Sequence, residues 1–250
     1  MAYSFVIFIY VIIGLVSGFL SGLLGIGGGI LIVPALIVLF ERAGVLEPVH
    51  LAIGTSMAAM AILIFASARV HYRQGTIRMD IWCRWISGLV VGALLGPTLV
   101  SALSGWILEK VFGYFLMALV ILMLISPYLP STRLKVNAIY LLPLGLLVGI
   151  AAGILGIGGG VLMIPLLLAM GCPLAEAVGT SAASSLPLVL VATLSYAALG
   201  FIDWVAFFGI GVGGLLSASL GAVCSKNINT RYLKTMFLVF LLATALRMVW

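Results

Sequence analysis

The sequence repeats itself. Gly14-Leu-Val-Ser-Gly18-Phe-Leu-Ser-Gly22-Leu-Leu-Gly25-Ile-Gly27-Gly28-Gly29, followed by Pro34, recurs as Gly145-Leu-Leu-Val-Gly149-Ile-Ala-Ala-Gly153-Ile-Leu-Gly156-Ile-Gly158-Gly159-Gly160, followed by Pro165. Every named glycine and the proline match at one offset, 131 residues. Ile53-Gly54-Thr55-Ser56 then matches Val178-Gly179-Thr180-Ser181 at 125, and Gly88, Gly92 and Gly96 match Gly209, Gly213 and Ser217 at 121. Ordered blocks with slowly drifting offsets mean two copies of one unit, residues 1–127 and 138–250, joined by a linker at 128–137.

Those copies are too apolar for water. Of the 250 residues, 64% are hydrophobic and 7% charged, against about 25% charged in a soluble domain. The excess must face lipid. Net charge is +6, from 12 Lys+Arg against 6 Asp+Glu. The basic residues stand at the ends of apolar runs, which is a topology signal and not a nucleic-acid footprint. Cys83, Cys172 and Cys224 form no CxxC pair and imply neither a disulfide framework nor a zinc site. The N-terminus has no basic n-region and runs into a long apolar segment, read as a retained span.

Apolar runs fall at roughly 4–24, 27–40, 50–68, 82–102, 106–127, 138–155, 158–170, 175–198, 204–224 and 232–249. A full crossing needs about 20 residues. Ile30 to Phe40 and Val161 to Met170 are too short, about 15–17 Å as helix, and each follows a glycine cluster. The expected fold is an all-α integral membrane protein. Each repeat has four to five helical segments, with half-helices broken at glycine. Basic residues also shift by one loop between the copies. Arg69, Arg73, Arg78 and Arg84 flank the 70–81 connection, but its counterpart at 199–203 carries Asp203, and Lys226, Arg231 and Lys234 come one loop later. With Arg133 and Lys135, nine of the 12 basic residues lie on one side, and Arg42, Lys110 and Arg247 on the other. The positive-inside rule then makes the repeats inverted, with both termini outside. Five segments per half, or three spans plus a re-entrant hairpin, both satisfy this.

The glycine clusters are the candidate site. They lack the spacing and flanking elements of a Rossmann fingerprint, and no Lys-Ser/Thr follows as in a P-loop. Glycine admits positive φ, and non-helical backbone at membrane depth survives where it is buried or lines a wet cavity. The half-helix that follows presents free N–H groups and a partial positive charge, which suits an anion. Binding is expected from the backbone at Gly25, Gly27, Gly28 and Gly29, and at Gly156, Gly158, Gly159 and Gly160. Hydroxyls of Thr55, Ser56, Thr180 and Ser181 would assist. A helix start, or hydroxyls bonded back to their own helix, remains open for these four. Gly14, Gly18 and Gly22, and their copies, read as close helix packing. All six acidic residues lie near segment ends and none is mid-span, which argues against a carboxylate-based cation site. His50 and His71 sit at opposite ends of one span and cannot share a metal. His71 with Arg69 and Arg73 reads as a topology signal or a basic vestibule.

At the doubled glycine motif with Pro34 and Pro165, the two Gly-Thr-Ser blocks, and His71-Tyr-Arg-Gln-Gly75, the chain resembles the sulfite exporter TauE/SafE family of membrane permeases, over essentially its whole length. The resemblance implies a multi-pass permease of the bacterial inner membrane carrying small sulfur-containing anions or organic acids, such as sulfite and sulfonates. It supplies no residue set. The expected function is export or transport of a small anion, a sulfur-containing oxyanion or organosulfonate, by alternating access between inverted repeats. The partners are that anion, the lipid bilayer and a coupling proton or ion. No enzyme activity, cofactor, metal or nucleic acid is expected, and the oligomeric state is open. An anion channel and a non-transport accessory protein are the alternatives.

Overall fold

A computed structural model describes residues 2–24, 27–125, 140–224 and 230–250. Gly25 and the basic residues Arg133, Lys135 and Lys226 lie outside the described residues, as does the 128–137 linker. Among the described residues the chain is all helix, with no strand: α1 (Ala2–Leu24), α2 (Gly29–Arg42), α3 (Pro48–Arg73), α4 (Met79–Ala102), α5 (Gly105–Ile125), α6 (Leu141–Leu155), α7 (Gly160–Ala169), α8 (Leu174–Ala198), α9 (Trp204–Cys224) and α10 (Thr230–Val249). Five carry windows long and apolar enough to cross a membrane: Phe5–Gly22, Pro48–Arg73, Met79–Ala102, Gly105–Leu122 and Leu174–Ala198. Shorter apolar helices include Leu141–Leu155 and Gly160–Ala169. The helices form where apolar runs satisfy their own backbone, as lipid demands, and α2, α3, α6, α7 and α8 each end at or within two residues of a glycine with positive φ. Gly44, Gly75, Gly171 and Gly200 all take positive φ in the connections.

The repeats interlock. The most extensive packing joins α1 to α9 and α4 to α6, so each half lends a helix to the other, while α3 packs on α8 and α5 on α10. Glycines make the approach possible. A Cβ on Gly18 would lie 2.5 Å from the Gly214 carbonyl oxygen, and one on Gly92 would lie 2.6 Å from the Ile150 nitrogen. These contacts correct the third repeat block. Gly14 meets Ile210 as Gly145 meets Trp85, and Gly18 meets Gly214 as Gly149 meets Leu89. The equivalent of Gly88 is therefore Gly213, an offset of 125 rather than 121. Glycines spaced four apart look the same after a slip of one helical turn, so composition cannot fix the register.

Hydrogen bonds relate the two copies. The backbone N–H of Asp203, the N-cap of α9, donates to Thr55 Oγ1 on α3 at 2.9 Å, and that of Arg78, the N-cap of α4, donates to Thr180 Oγ1 on α8 at 2.8 Å. The start of α3 thus meets the end of α8, and the start of α8 meets the end of α3. Thr55→Val and Thr180→Val each strand one N–H. Each is expected to cost about 1–3 kcal/mol, read as a similar drop in thermal midpoint in detergent for both variants.

Two faces follow. One carries Arg78, ion-paired to Asp80 at 2.7 Å and Glu176 at 3.3 Å. Asp80 first, and then Glu176, raise the Arg78 pKa above its ordinary value. The other face carries Arg247 paired to Glu41 at 2.7 Å, and Lys110, whose Nζ donates to the Val249 carbonyl at 2.7 Å. On that same face His50 Nε2 donates to the carbonyls of Val100 and Leu103, and the His50 ring lies 5.1 Å from that of Phe201. α1 starts beside the start of α9, where Tyr10 meets Gly209, and α2 ends at Glu41. Both are at the Arg247 face, so α1 and α2 form a hairpin, and α6 with α7 forms its counterpart from the Arg78 face. Each hairpin thus starts and ends at one face of the bundle, the arrangement that a re-entrant hairpin requires.

Candidate functional site

The hairpin tips are the glycine clusters, and the two tips touch. Gly156 ends α6 in the left-handed region at φ 67°, its N–H bonded to the Ala152 carbonyl at 2.9 Å. Gly158 (φ 67°) and Gly159 (φ 80°), the N-cap of α7, stay left-handed. Gly27 matches Gly158 at φ 74°, whereas Gly28, the N-cap of α2, sits at φ −48°. Residues with a Cβ rarely hold the positive values. Gly29 packs on the opposite tip, where a Cβ would lie 2.6 Å from the Gly156 carbonyl oxygen and 2.7 Å from Ile157 Cα. α2 and α7 both begin here. Among the described residues, no acceptor meets the N–H groups of Gly160 and Val161 in the first turn of α7, as expected of an open helix N-terminus.

A cavity of about 30 Å³ lies between the tips, lined by Ser21, Gly27, Ser67, Gly160, Ser181 and Ser185, with Leu63, Ile64 and Ala182 completing the wall. It has room for one or two waters. Ser185 Oγ is buried there with no partner among the described residues, so its hydroxyl is free to donate into the cavity. No carboxylate reaches this wall. Among the described residues, no cluster of His, Cys, Asp and Glu could hold a metal.

Gly27, Gly160 and Ser181 thus line one cavity. Gly29, Gly156, Gly158 and Ser56 form the packed contact beside it: Ser56 Oγ donates to the Gly156 carbonyl at 3.0 Å. Gly28 and Gly159 cap α2 and α7. Thr55 and Thr180 are fully buried away from the cavity and hold the opposite repeat's helix starts. Their hydroxyls bond outside their own helices, as does that of Ser56. Ser184, nearly three turns from the start of α8, accepts from Trp85 Nε1 at 2.9 Å and donates to the Thr180 carbonyl at 2.7 Å. His71 Nδ1 bonds Thr76 Oγ1 at 3.1 Å at the Arg78 face.

Sequence reasoning named none of Ser21, Ser67 and Ser185 as site residues. Nothing in the sequence singles Ser21 or Ser67 out from other serines in apolar helices.

Comparison with known proteins agrees with a membrane transporter. Residues 10–248 match the family model described as sulfite exporter TauE/SafE. A "Probable membrane transporter protein" of Haemophilus influenzae is 29% identical, covering 97% of each chain. One of Xylella fastidiosa is 31% identical over 93% of this chain and 91% of its own. The "Probable membrane transporter protein YdhB" of Bacillus subtilis is 30% identical over 82% of this chain and 84% of its own. No solved structure matches. A doubled glycine-broken hairpin in an apolar helical bundle, with a family match across nearly the whole chain, leads to one assignment: the chain belongs to the sulfite exporter TauE/SafE family of membrane transporters.

Proposed function

We propose that this chain transports a small anion, a sulfur-containing oxyanion or organosulfonate, across a bacterial inner membrane, and that the anion binds in the cavity between the two glycine tips. The cavity itself is the observation that carries this reading. Four serines and open backbone N–H groups supply donors, and no carboxylate repels the charge. The matched family's description names sulfite, and sulfite fits a site built from short hydroxyl donors. The half-helix starts at Gly27 to Gly29 and Gly158 to Gly160 add partial positive charge, with Ser181 the nearest of the Gly-Thr-Ser hydroxyls.

The cavity holds little more than water, so the cargo enters when the walls part. The exchanged packing supports inverted repeats, since equivalent loops lie at opposite faces, and residues 1–127 and 138–250 as the repeat units. Because α1 packs on α9 and α4 on α6, the moving bodies are these exchanged pairs rather than the two halves in sequence order. Alternating access then runs between the Arg78 face, inside by its basic residues, and the Arg247 face. A proton or ion supplies the coupling.

Transport of ³⁵S-sulfite by purified protein in liposomes tests this. Ser185→Ala removes one donor to the anion and is expected to weaken apparent affinity about ten- to hundred-fold, the worth of one hydrogen bond to a charged group. Ser181→Ala is expected to act in the same direction. Unchanged kinetics in both would move the site elsewhere. Single-channel conductance without coupling would favour a channel, and no anion movement at all an accessory role.

A further inference from the structure

The two repeats do not furnish the cavity equally. At the offsets that relate the copies, Ser21, Ser67 and Ser185 correspond to Ala152, Ala192 and Met60. Only Ser181 keeps a hydroxyl, as Ser56, and that hydroxyl is already bonded to the Gly156 carbonyl. The counterpart space is solid. Ala152, Ala192, Met57, Met60 and Ser56 are all fully buried. Met60 fills it: its Sδ lies 2.8 Å from where a Cβ on Gly29 would stand and 3.0 Å from where one on Gly158 would stand. The side chain is therefore wedged against both tips. It lies on the Arg247 side of the cavity, since α3 runs from Thr55, tied to the start of α9, through Met60 to Ser67 and then to the Arg78 face.

We propose that Met60 is the barrier that closes the anion site toward the Arg247 face, and that the protein has one anion site, offset to the Arg78 face, instead of two symmetric ones. This rests on the transport reading given above. An unbranched thioether fills an irregular gap without offering a strong donor, and a dry apolar constriction excludes ions that cannot shed their water. Serine at the equivalent position in the other repeat leaves the cavity open and wettable. Met60 in place of Ser185, with Ala152 and Ala192 in place of Ser21 and Ser67, thus divides a duplicated pocket into a binding half and a closed half.

The experiment is flux in liposomes with ³⁵S-sulfite and chloride as probes. Met60→Ser is expected to raise sulfite flux about tenfold, a barrier lower by about 1.4 kcal/mol, and to admit chloride. Met60→Leu, which keeps the volume, is expected to behave as the unsubstituted protein. Chloride exclusion and unchanged sulfite flux in Met60→Ser overturn the barrier. Labelling covers the case in which Met60→Ser does not fold. With Cys83, Cys172 and Cys224 replaced by serine, an anionic methanethiosulfonate sulfonate applied from the Arg78 face is expected to modify Ser185→Cys, with protection by sulfite. Met60→Cys is expected to stay unmodified. Equal labelling of the two overturns the barrier. If Ser185→Ala transports normally and Ser185→Cys is not protected by sulfite, the site itself is wrong. If Ser185 substitutions impair transport but Met60→Ser does not leak, only the barrier fails.

Discussion

Gly29→Ala is expected to abolish transport and lower stability together. The added methyl would stand 2.6 Å from the Gly156 carbonyl oxygen and 2.7 Å from Ile157 Cα, with Met60 Sδ at 2.8 Å. Two of these three neighbours are backbone of the opposite tip, held by left-handed glycines that have nowhere to go. Overpacking of this kind costs about 1–3 kcal/mol. Relief can come only by parting the two tips, which distorts the cavity they enclose. Thermal midpoint in detergent and sulfite flux in liposomes both read the effect. Gly27→Ala separates strain from crowding. Its nearest neighbours are 3.8 Å away, but its φ is 74°, so it is expected to lose stability through backbone strain alone, about 1 kcal/mol. Normal transport by Gly29→Ala would remove the tip contact from the mechanism.

The second large effect lies in the exchanged helix pairs. A Cβ on Gly18 would lie 2.5 Å from both the Gly214 carbonyl oxygen and Ser217 Oγ, and 2.6 Å from Gly214 Cα. Its counterpart Gly149 packs on the Leu89 carbonyl, with Gly92 Cα 3.0 Å from the built Cβ. Without a hydrophobic force between helices in lipid, close backbone approach supplies the association. Gly18→Leu and Gly149→Leu should therefore each separate a pair, and each is expected to exceed the range of about 1–3 kcal/mol seen for a few added methylenes. Set against a total stability of about 5–15 kcal/mol, that predicts loss of monodisperse protein on size exclusion, equally for both variants. A fold that tolerated one and not the other would mean that the α1–α9 and α4–α6 contacts are not equivalent.

How much of this was readable beforehand depends on the kind of signal. The tips were legible because clustered glycines at Gly27 to Gly29 and Gly156 to Gly160 have few uses in an apolar helix, and the structure gives positive φ at Gly27, Gly156, Gly158 and Gly159. The relation of α4 to α9 was misread by one turn, since a four-residue glycine period looks alike after such a slip and only the partner helix sets the register. Thr55 and Thr180 show a different limit. A hydroxyl near a helix start can serve a ligand, its own turn or a distant loop, and the acceptor role toward Asp203 and Arg78 depends on chain more than 100 residues away. Ser21 and Ser67 were invisible for the same reason. A serine in an apolar helix becomes informative only when the neighbouring helices are known.

The exchange of helices also governs how the chain can be made. A helix released early into the bilayer normally docks on the one released next, but α1 finds its main partner in α9, some 200 residues later. Until then its small-residue face, built around Gly14 and Gly18, has only lipid against it. Assembly must therefore close late, like a clasp fastened with the last pieces. Neither copy expressed by itself could complete its own packing, although the two expressed together as separate chains could.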